Sequence, residues 1–250
     1  MILDIEPFVM VAILAAAFLT GVLHGTIGMA GGILMASILS HFVGIKAAVP
    51  AMTVALVFSH FSRVIIYFRE TSWPVAGRVL LFGIPTIVLG AVIFGFISPQ
   101  VIAVIFALFL ILSFPIKYWA KRRQLTTGPK LLAAASMIWG MLAGNVIGPG
   151  FFLAPFLLGT GMGRLTFVGT LAAITLVMNL VKVAVFGTTE LLGLELFLLG
   201  VFIGLATVPG NWLGKSILKR MQDSDHARIV DALTVLMILN FFYLAVRPAV

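Results

Sequence analysis

Seven apolar runs, each near or above the length needed to cross a bilayer, recur along this chain of 250 residues. They cover residues 8–23, 47–68, 79–97, 101–119, 165–186, 196–213 and 229–246. None alternates polar and apolar residues as the strands of a membrane barrel do. Because 62% of the residues are hydrophobic and only 10% are charged, we predict an all-α integral membrane protein.

The basic residues give this protein an orientation in the membrane. Lys and Arg near helix ends stay on the cytoplasmic side. Two basic segments, residues 117–130, which contain no acid, and residues 215–228, are therefore expected inside, with Arg69 and Arg78, whereas Asp4, Glu6, Glu190 and Glu195 mark the outside. The N-terminus is predicted outside, and the first run, preceded by acids, is kept as part of the fold rather than read as a signal peptide.

The formal net charge of +8 follows from this bias. It indicates contact with the lipid bilayer and its anionic headgroups, and we do not expect nucleic acid as a partner.

The sequence repeats itself once. The stretch "GVLHGTIGMAGGILMASIL" (21–39) aligns without a gap on "GMLAGNVIGPGFFLAPFLL" (140–158). The same register places Gly44 on Gly163, and the polar residues His60 and Arg63 on Asn179 and Lys182. Persistence of one register, with polar residues included, indicates a duplication.

The repeat predicts two halves, residues 1–120 and 131–250, joined by a basic cytoplasmic linker at 121–130. Each half has five segments: a broken or re-entrant helix pair around the Gly-rich stretch, then three transmembrane helices. An odd number of crossings gives the halves opposite orientations, which is the inverted-topology repeat of secondary transporters. Whether the short pairs are re-entrant or fully spanning stays open, as does monomer against dimer.

The Gly-rich breaks are the candidate site. Irregular backbone at membrane depth is tolerated only where it is buried or lines a cavity. Helices restarting near Gly31 and at Pro149, the latter expected at the first helical position, would aim free amides at the gap, which suits an anion. The break residues predicted to bind it are Thr26, Gly28, Gly31, Gly32, Asn145, Gly148, Pro149 and Gly150. Gly21 and Gly140 are expected instead to serve close helix packing.

Polar residues inside the later runs complete the predicted site. His60 with Arg63, and Asn179 with Lys182, each share a helical face. Intramembrane ionisable groups are functional hypotheses by default. The alternatives are that the two cations extend to the membrane interface and that His60 is a packing residue. His24 and His60 are candidate proton-coupling groups, because histidine titrates near neutral pH.

No constellation for membrane-embedded catalysis stands out. There is no cysteine, no metal-binding signature such as H-E-x-x-H, and the acids lie near predicted helix ends. We therefore predict neither an enzyme nor a metal or cofactor. A transporter for a small anion, an anion channel and a non-transport assembly subunit remain.

The two Gly-rich segments, each leading into an apolar run, resemble those of the TauE/SafE family, also described as sulfite or organosulfonate exporters. Here the first copy reads "GMAGGILMASIL", and the second keeps Pro155 in "FLAPFLL" with "GPG" before it. The resemblance implies export of a sulfur oxyanion, such as sulfite or an organosulfonate, across a bacterial plasma (inner) membrane, coupled to a proton or sodium ion. The expected mechanism is alternating access, with one half rocking against the other. The anion, the direction and the coupling ion are not written in the residues.

Overall fold

The structure of the protein is a computed structural model, which covers residues 5–27, 30–218 and 223–246. These residues form ten α-helices and no strand. The helices are α1 (Pro7–Ile27), α2 (Ala30–Val43), α3 (Ile45–Ile66), α4 (Trp73–Phe96), α5 (Pro99–Arg122), α6 (Pro129–Asn145), α7 (Gly150–Leu158), α8 (Arg164–Thr188), α9 (Leu194–Leu218) and α10 (Asp223–Val246).

Six of these helices, α1, α3, α4, α5, α8 and α9, are long and apolar enough to cross a membrane. The seventh predicted run belongs to α10, whose apolar part, Asp231–Val246, is shorter. Proline stands in the first turn of α4 and of α6, where its missing N–H costs no hydrogen bond. The all-helical membrane architecture predicted from the sequence is thus confirmed.

Helices α3 and α8 form the centre of the molecule. Their apolar windows are 72% and 56% buried, against 28% to 39% for the other four spanning helices. The surrounding helices direct large apolar side chains such as Phe8, Phe96 and Leu239 outwards. This is the distribution expected where lipid is the solvent.

Glycines bring two pairs of helices into backbone contact. A Cβ at Gly25 of α1 would lie 2.7 Å from Cα of Asn211 in α9, and one at Gly144 of α6 would lie 2.6 Å from Cα of Gly90 in α4. Gly21 and Gly140 sit one turn earlier in the same two contacts. The predicted packing role of Gly21 and Gly140 is confirmed.

The order of these contacts fixes the helix directions. Gly21 meets Thr207 and Gly25 meets Asn211, so α1 and α9 are parallel. By the same comparison α4 and α6 are parallel, as are α3 and α9. Helices α1, α3 and α9 therefore point one way, and α4 and α6 point the other way, because a short turn reverses the chain between α3 and α4.

Both predicted helix breaks are present. Helix α1 ends at Ile27 and α2 begins at Ala30, while α6 ends at Asn145 and α7 begins at Gly150. The expected helix start near Gly31 is confirmed. The expectation for Pro149 is wrong by one residue, since Pro149 is the N-cap of α7 and Gly150 is its first helical residue.

Polar contacts join α10 to α5 and to α2. Lys117 of α5 forms a 2.8 Å ion pair with Asp231 of α10, and His41 of α2 lies 2.8 Å from Asn240 of α10. The predicted linker at 121–130 overlaps the segment between the end of α5 at Arg122 and the start of α6 at Pro129.

Candidate functional site

A cavity lies where the two helix breaks meet in the centre of the molecule. The space between its lining residues that no atom fills, including the part open to solvent, is about 340 Å³. One wall comes from α1, α2 and α3, and the other from the α6–α7 break and α8. Its lining residues are His24, Gly32, Leu56, His60, Ile147, Gly148, Pro149, Gly150, Leu171, Thr175 and Met178. The structure therefore brings both Gly-rich breaks to one place.

Direct contact joins the two breaks at Gly148. This residue has φ +76°, a conformation that side chains rarely adopt. A Cβ at Gly148 would also collide with the side chain of Ile33, in the first turn of α2. Glycine is required here both by the backbone and by the packing of one half against the other.

His24, His60 and Arg63 form a buried cluster beside the cavity. Arg63 Nη1 lies 3.0 Å from His24 Nε2, and the backbone N–H of Gly32 donates to His24 Nδ1 over 3.2 Å. The His24 and His60 rings meet edge to face with centroids 5.2 Å apart. Arg63 is only 3% exposed, so its side chain lies inside the protein and does not extend to the membrane interface.

His24 is faced by more hydrogen-bond donors than it has acceptors. Arginine only donates, as does a backbone N–H, and a neutral imidazole has one accepting nitrogen. His24 thus cannot accept from both Arg63 and Gly32 at once, whichever tautomer it adopts. His60 adds a buried Nδ1 that has no hydrogen-bond partner. A ligand with several acceptor oxygens and no protons to donate would complement these groups.

A second buried cation lies at the other break. Lys182 of α8 is fully buried and donates to the carbonyl of Val146 over 3.2 Å. Its Nζ lies 5.5 Å from the centre of the Phe186 ring, and no acid among the described residues forms an ion pair with it. Like Arg63, Lys182 does not reach the membrane interface. Burying an ammonium group without a counter-charge is costly.

Several predicted residues lie elsewhere. The Thr26 hydroxyl donates to the Val22 carbonyl over 2.7 Å and faces α9 at Gly214. The Asn145 amide donates to Met141, and that of Asn179 donates to Thr175. Thr26, Asn145 and Asn179 are absent from the described lining of the cavity, and so are Arg63 and Lys182. Gly28 lies outside the described residues.

Gly31 positions the cluster without lining the central cavity. A Cβ there would lie 2.6 Å from Cβ of His24, so Gly31 permits the close approach of α2 to α1. A smaller cavity of about 220 Å³ opens on this side, lined in part by Gly31, Thr20, Ser59 and Thr207. It shares His24, Gly32 and Leu56 with the central cavity.

Sequence reasoning missed two features. The first is the apolar wall formed by Leu56, Leu171 and Met178, which looks like any other membrane-helix sequence. The second is Asn211 of α9, whose amide donates to the Ser59 hydroxyl over 2.9 Å. A buried asparagine inside an apolar run is itself a signal that could have identified this contact.

No group of three or more potential metal ligands occurs in the part of the chain that the structure describes. The family model described as "Sulfite exporter TauE/SafE" matches residues 13–241. No curated protein and no solved structure matches the chain at a significant level.

Proposed function

The chain belongs to the TauE/SafE sulfite exporter family, a family of membrane transporters, and on this premise we propose that it is a secondary transporter that exports a small sulfur oxyanion by alternating access. The observation that carries the proposal is the central cavity, where both helix breaks meet beside a donor-rich cluster. An oxyanion supplies acceptors for the donors that face His24.

The proposed substrate pose differs from the one expected from the sequence. Thr26 and Asn145 use their donors on backbone carbonyls, so the anion is held by His60, Arg63 and the first turns of α2 and α7. Gly148 and Gly150 allow close approach of the anion to the backbone amides of α7. The apolar wall at Leu56, Leu171 and Met178 suits the short carbon chain of an organosulfonate.

An inverted repeat of residues 1–120 and 131–250 is part of the proposal. Apart from the small contact of α3 with α5, the main contacts between helices have a counterpart when the first five helices are exchanged with the last five: α1 with α9 corresponds to α6 with α4, and α2 with α10 corresponds to α7 with α5. Corresponding helices α1 and α6 run in opposite directions, as inversion requires. The N-terminus is placed outside and the linker in the cytoplasm of a bacterial cell.

The moving bodies are then not the two halves themselves. Helix α9 of the second half packs on α1 and α3, and α4 of the first half packs on α6 and α8. One wall of the cavity belongs to the first group and the other wall to the second. We place the rocking motion at the contact between α3 and α8, where the groups meet, so that the cavity opens alternately to each side.

Thermal unfolding of the purified protein tests the anion site. We expect sulfite, thiosulfate, sulfoacetate or isethionate to raise the unfolding temperature, and sulfate or chloride to raise it less. A ligand that binds only the native state adds about 2.7 kcal/mol at 100 times its dissociation constant. Arg63→Gln and Lys182→Met are expected to reduce or abolish the shift.

Each matched control removes a positive charge at a position that lies away from the cavity. Arg69 is exposed, and Lys46 caps α4 by donating to Gly95 over 3.0 Å; Arg69→Gln and Lys46→Met should keep the full shift. Equal shifts in all four variants would show that the anion does not bind at this cavity. Anion currents at rates beyond those of a carrier would instead favour the channel, and no response to any anion would favour a non-transport subunit.

A further inference from the structure

We propose that His24 is the site at which a proton binds together with the transported anion, acting as a latch on Arg63; this inference rests on the proposed anion transport. The hydrogen-bond geometry carries it. Both ring nitrogens of His24 face donors, Arg63 Nη1 at 3.0 Å and the Gly32 N–H at 3.2 Å. The arrangement can exist only while at least one nitrogen keeps its lone pair.

Proton uptake by His24 removes the one acceptor that Arg63 and the Gly32 N–H face. The imidazolium carries an N–H on each nitrogen and accepts no hydrogen bond. Neither the guanidinium of Arg63 nor the first-turn amide of α2 at Gly32 can then donate to the ring. His24 and Gly32 line the central cavity, and Arg63 adjoins it through its contact with His24. The proton thus adds a positive charge and a hydrogen-bond donor at the cavity wall, where an anion can bind.

The charges make the two binding events cooperative. A protonated His24 beside Arg63 places two positive charges about 3.0 Å apart in a buried site. An anion between them offsets this repulsion, so the anion favours the proton and, by reciprocity, the proton favours the anion. A proton carried with a singly charged sulfonate leaves the pair neutral. The membrane potential then does no work on it, and export follows the combined concentration gradients of the anion and the proton.

Few charged groups surround His24. Among the described residues, the charged or titratable groups that face it are Arg63 and His60, both on α3. Helix α2 presents the backbone of Gly31 and Gly32, and α9 contributes the uncharged Thr207 to the adjoining cavity. Lys215 of α9 lies farther along, over the ring of Tyr67 at 5.3 Å.

The experiment counts protons taken up per anion bound. Calorimetric titration of the purified protein in two buffers with different ionisation enthalpies gives that number. The probe is isethionate or thiosulfate, whichever stabilises the protein more, because neither takes up a proton between about pH 5 and pH 8, where histidine titrates. Sulfite is unsuitable, since it takes up a proton itself.

We expect the wild-type protein to bind close to one proton per anion and its affinity to rise by up to about tenfold for each unit that the pH falls. His24→Gln keeps a hydrogen-bonding side chain but cannot take up the proton, so its uptake should fall to near zero. His60→Gln tests the neighbouring ring and should keep the uptake. The control His41→Gln removes a histidine at the distant α2–α10 contact and should leave it unchanged.

The possible failures are distinguishable. Anion binding by the wild-type protein without proton uptake overturns the latch and leaves the anion site standing. Proton uptake lost in His60→Gln but kept in His24→Gln assigns the proton to His60, and dependence on sodium in place of pH assigns coupling to another ion; either overturns the proposal. No binding of any anion overturns the proposed function itself. If His24→Gln fails to fold, the proton counts of the wild-type protein and of His60→Gln still test the proposal.

Discussion

Gly148 has a positive φ, contacts the other helix break and lines the cavity. Replacing it with alanine should destabilise the protein for two reasons. A side chain at φ +76° costs about 1–2 kcal/mol, and overlap with Ile33 in a packed interior adds about 1–3 kcal/mol. The unfolding temperature of Gly148→Ala, measured without anion, checks the sum.

Variants at Gly161 and Ile33 separate the backbone cost of Gly148→Ala from its packing cost. Gly161 has φ +82°, and a Cβ added there would meet nothing within 4 Å, so Gly161→Ala reports the backbone cost alone. Ile33→Ala removes the colliding side chain, and Gly148→Ala should cost less in that background than in the wild type. Additive losses in the double variant would contradict the contact between the breaks.

For single residues, the sequence predicted which of them lie at the helix breaks better than it predicted which of them contact each other. Glycine clustering identified Gly148 and Gly150, because backbone freedom is a property of the residue itself. The contact between His24 and Arg63 was not predicted, since periodicity shows which residues share a face of one helix and not which helices meet. Thr26 illustrates the same limit: it lies at the break, but its hydroxyl faces α9.

Glycines allow close packing of the helix pairs α1–α9 and α4–α6. Replacing a glycine in either pair should destabilise the protein to a similar extent. Gly25 and Gly144 occupy the same repeat position and each faces backbone atoms of the partner helix. Backbone atoms cannot give way as a flexible side chain can. Gly25→Ala and Gly144→Ala should each cost about 1–3 kcal/mol, measured as a lowered unfolding temperature.

Gly187 provides the control, because a Cβ there meets nothing within 4 Å in the last turns of α8. Alanine favours a helix by up to about 1 kcal/mol over glycine, so Gly187→Ala should be neutral or stabilising. If Gly25→Ala were as harmless as Gly187→Ala, the close approach of α1 and α9 would be refuted.

Most elements were predictable because a bilayer restricts the choice to long apolar helices. The run at 101–119 matches α5 within three residues at each end, whereas the run at 79–97 misses the first six residues of α4. The break at 146–149 followed from its glycines and proline. Pairing across the halves, as between α1 and α9, was not predictable, because small residues mark a close contact without naming the helix on its other side.

The molecule as a whole consists of two groups of helices that meet at the cavity. Helix α9 packs on α1 and α3, and α4 packs on α6 and α8, so neither residues 1–120 nor residues 131–250 enclose the cavity alone. The sequence showed a repeated register but not this pairing. In the proposed inverted repeat, the pair α1–α9, whose helices point the same way, joins the two halves.

Inversion itself can be tested because the chain contains no cysteine. Arg69 and Thr188 are exposed and occupy the same position in the repeat. In a parallel repeat both would face one side of the membrane, whereas in an inverted repeat they face opposite sides. A membrane-impermeant maleimide added to intact cells should label Thr188→Cys and Glu6→Cys at once, and Arg69→Cys and Lys130→Cys only after permeabilisation.

The two aspects of this prediction fail separately. Labelling of Arg69→Cys and Thr188→Cys from the same side would exclude inversion, and with it a cavity reached alternately by symmetric routes. Labelling of all four positions in the reverse pattern would preserve inversion and place the N-terminus inside. The basic segments weigh against that reversal, since they would then have to lie outside the cell, against the bias that orients membrane helices.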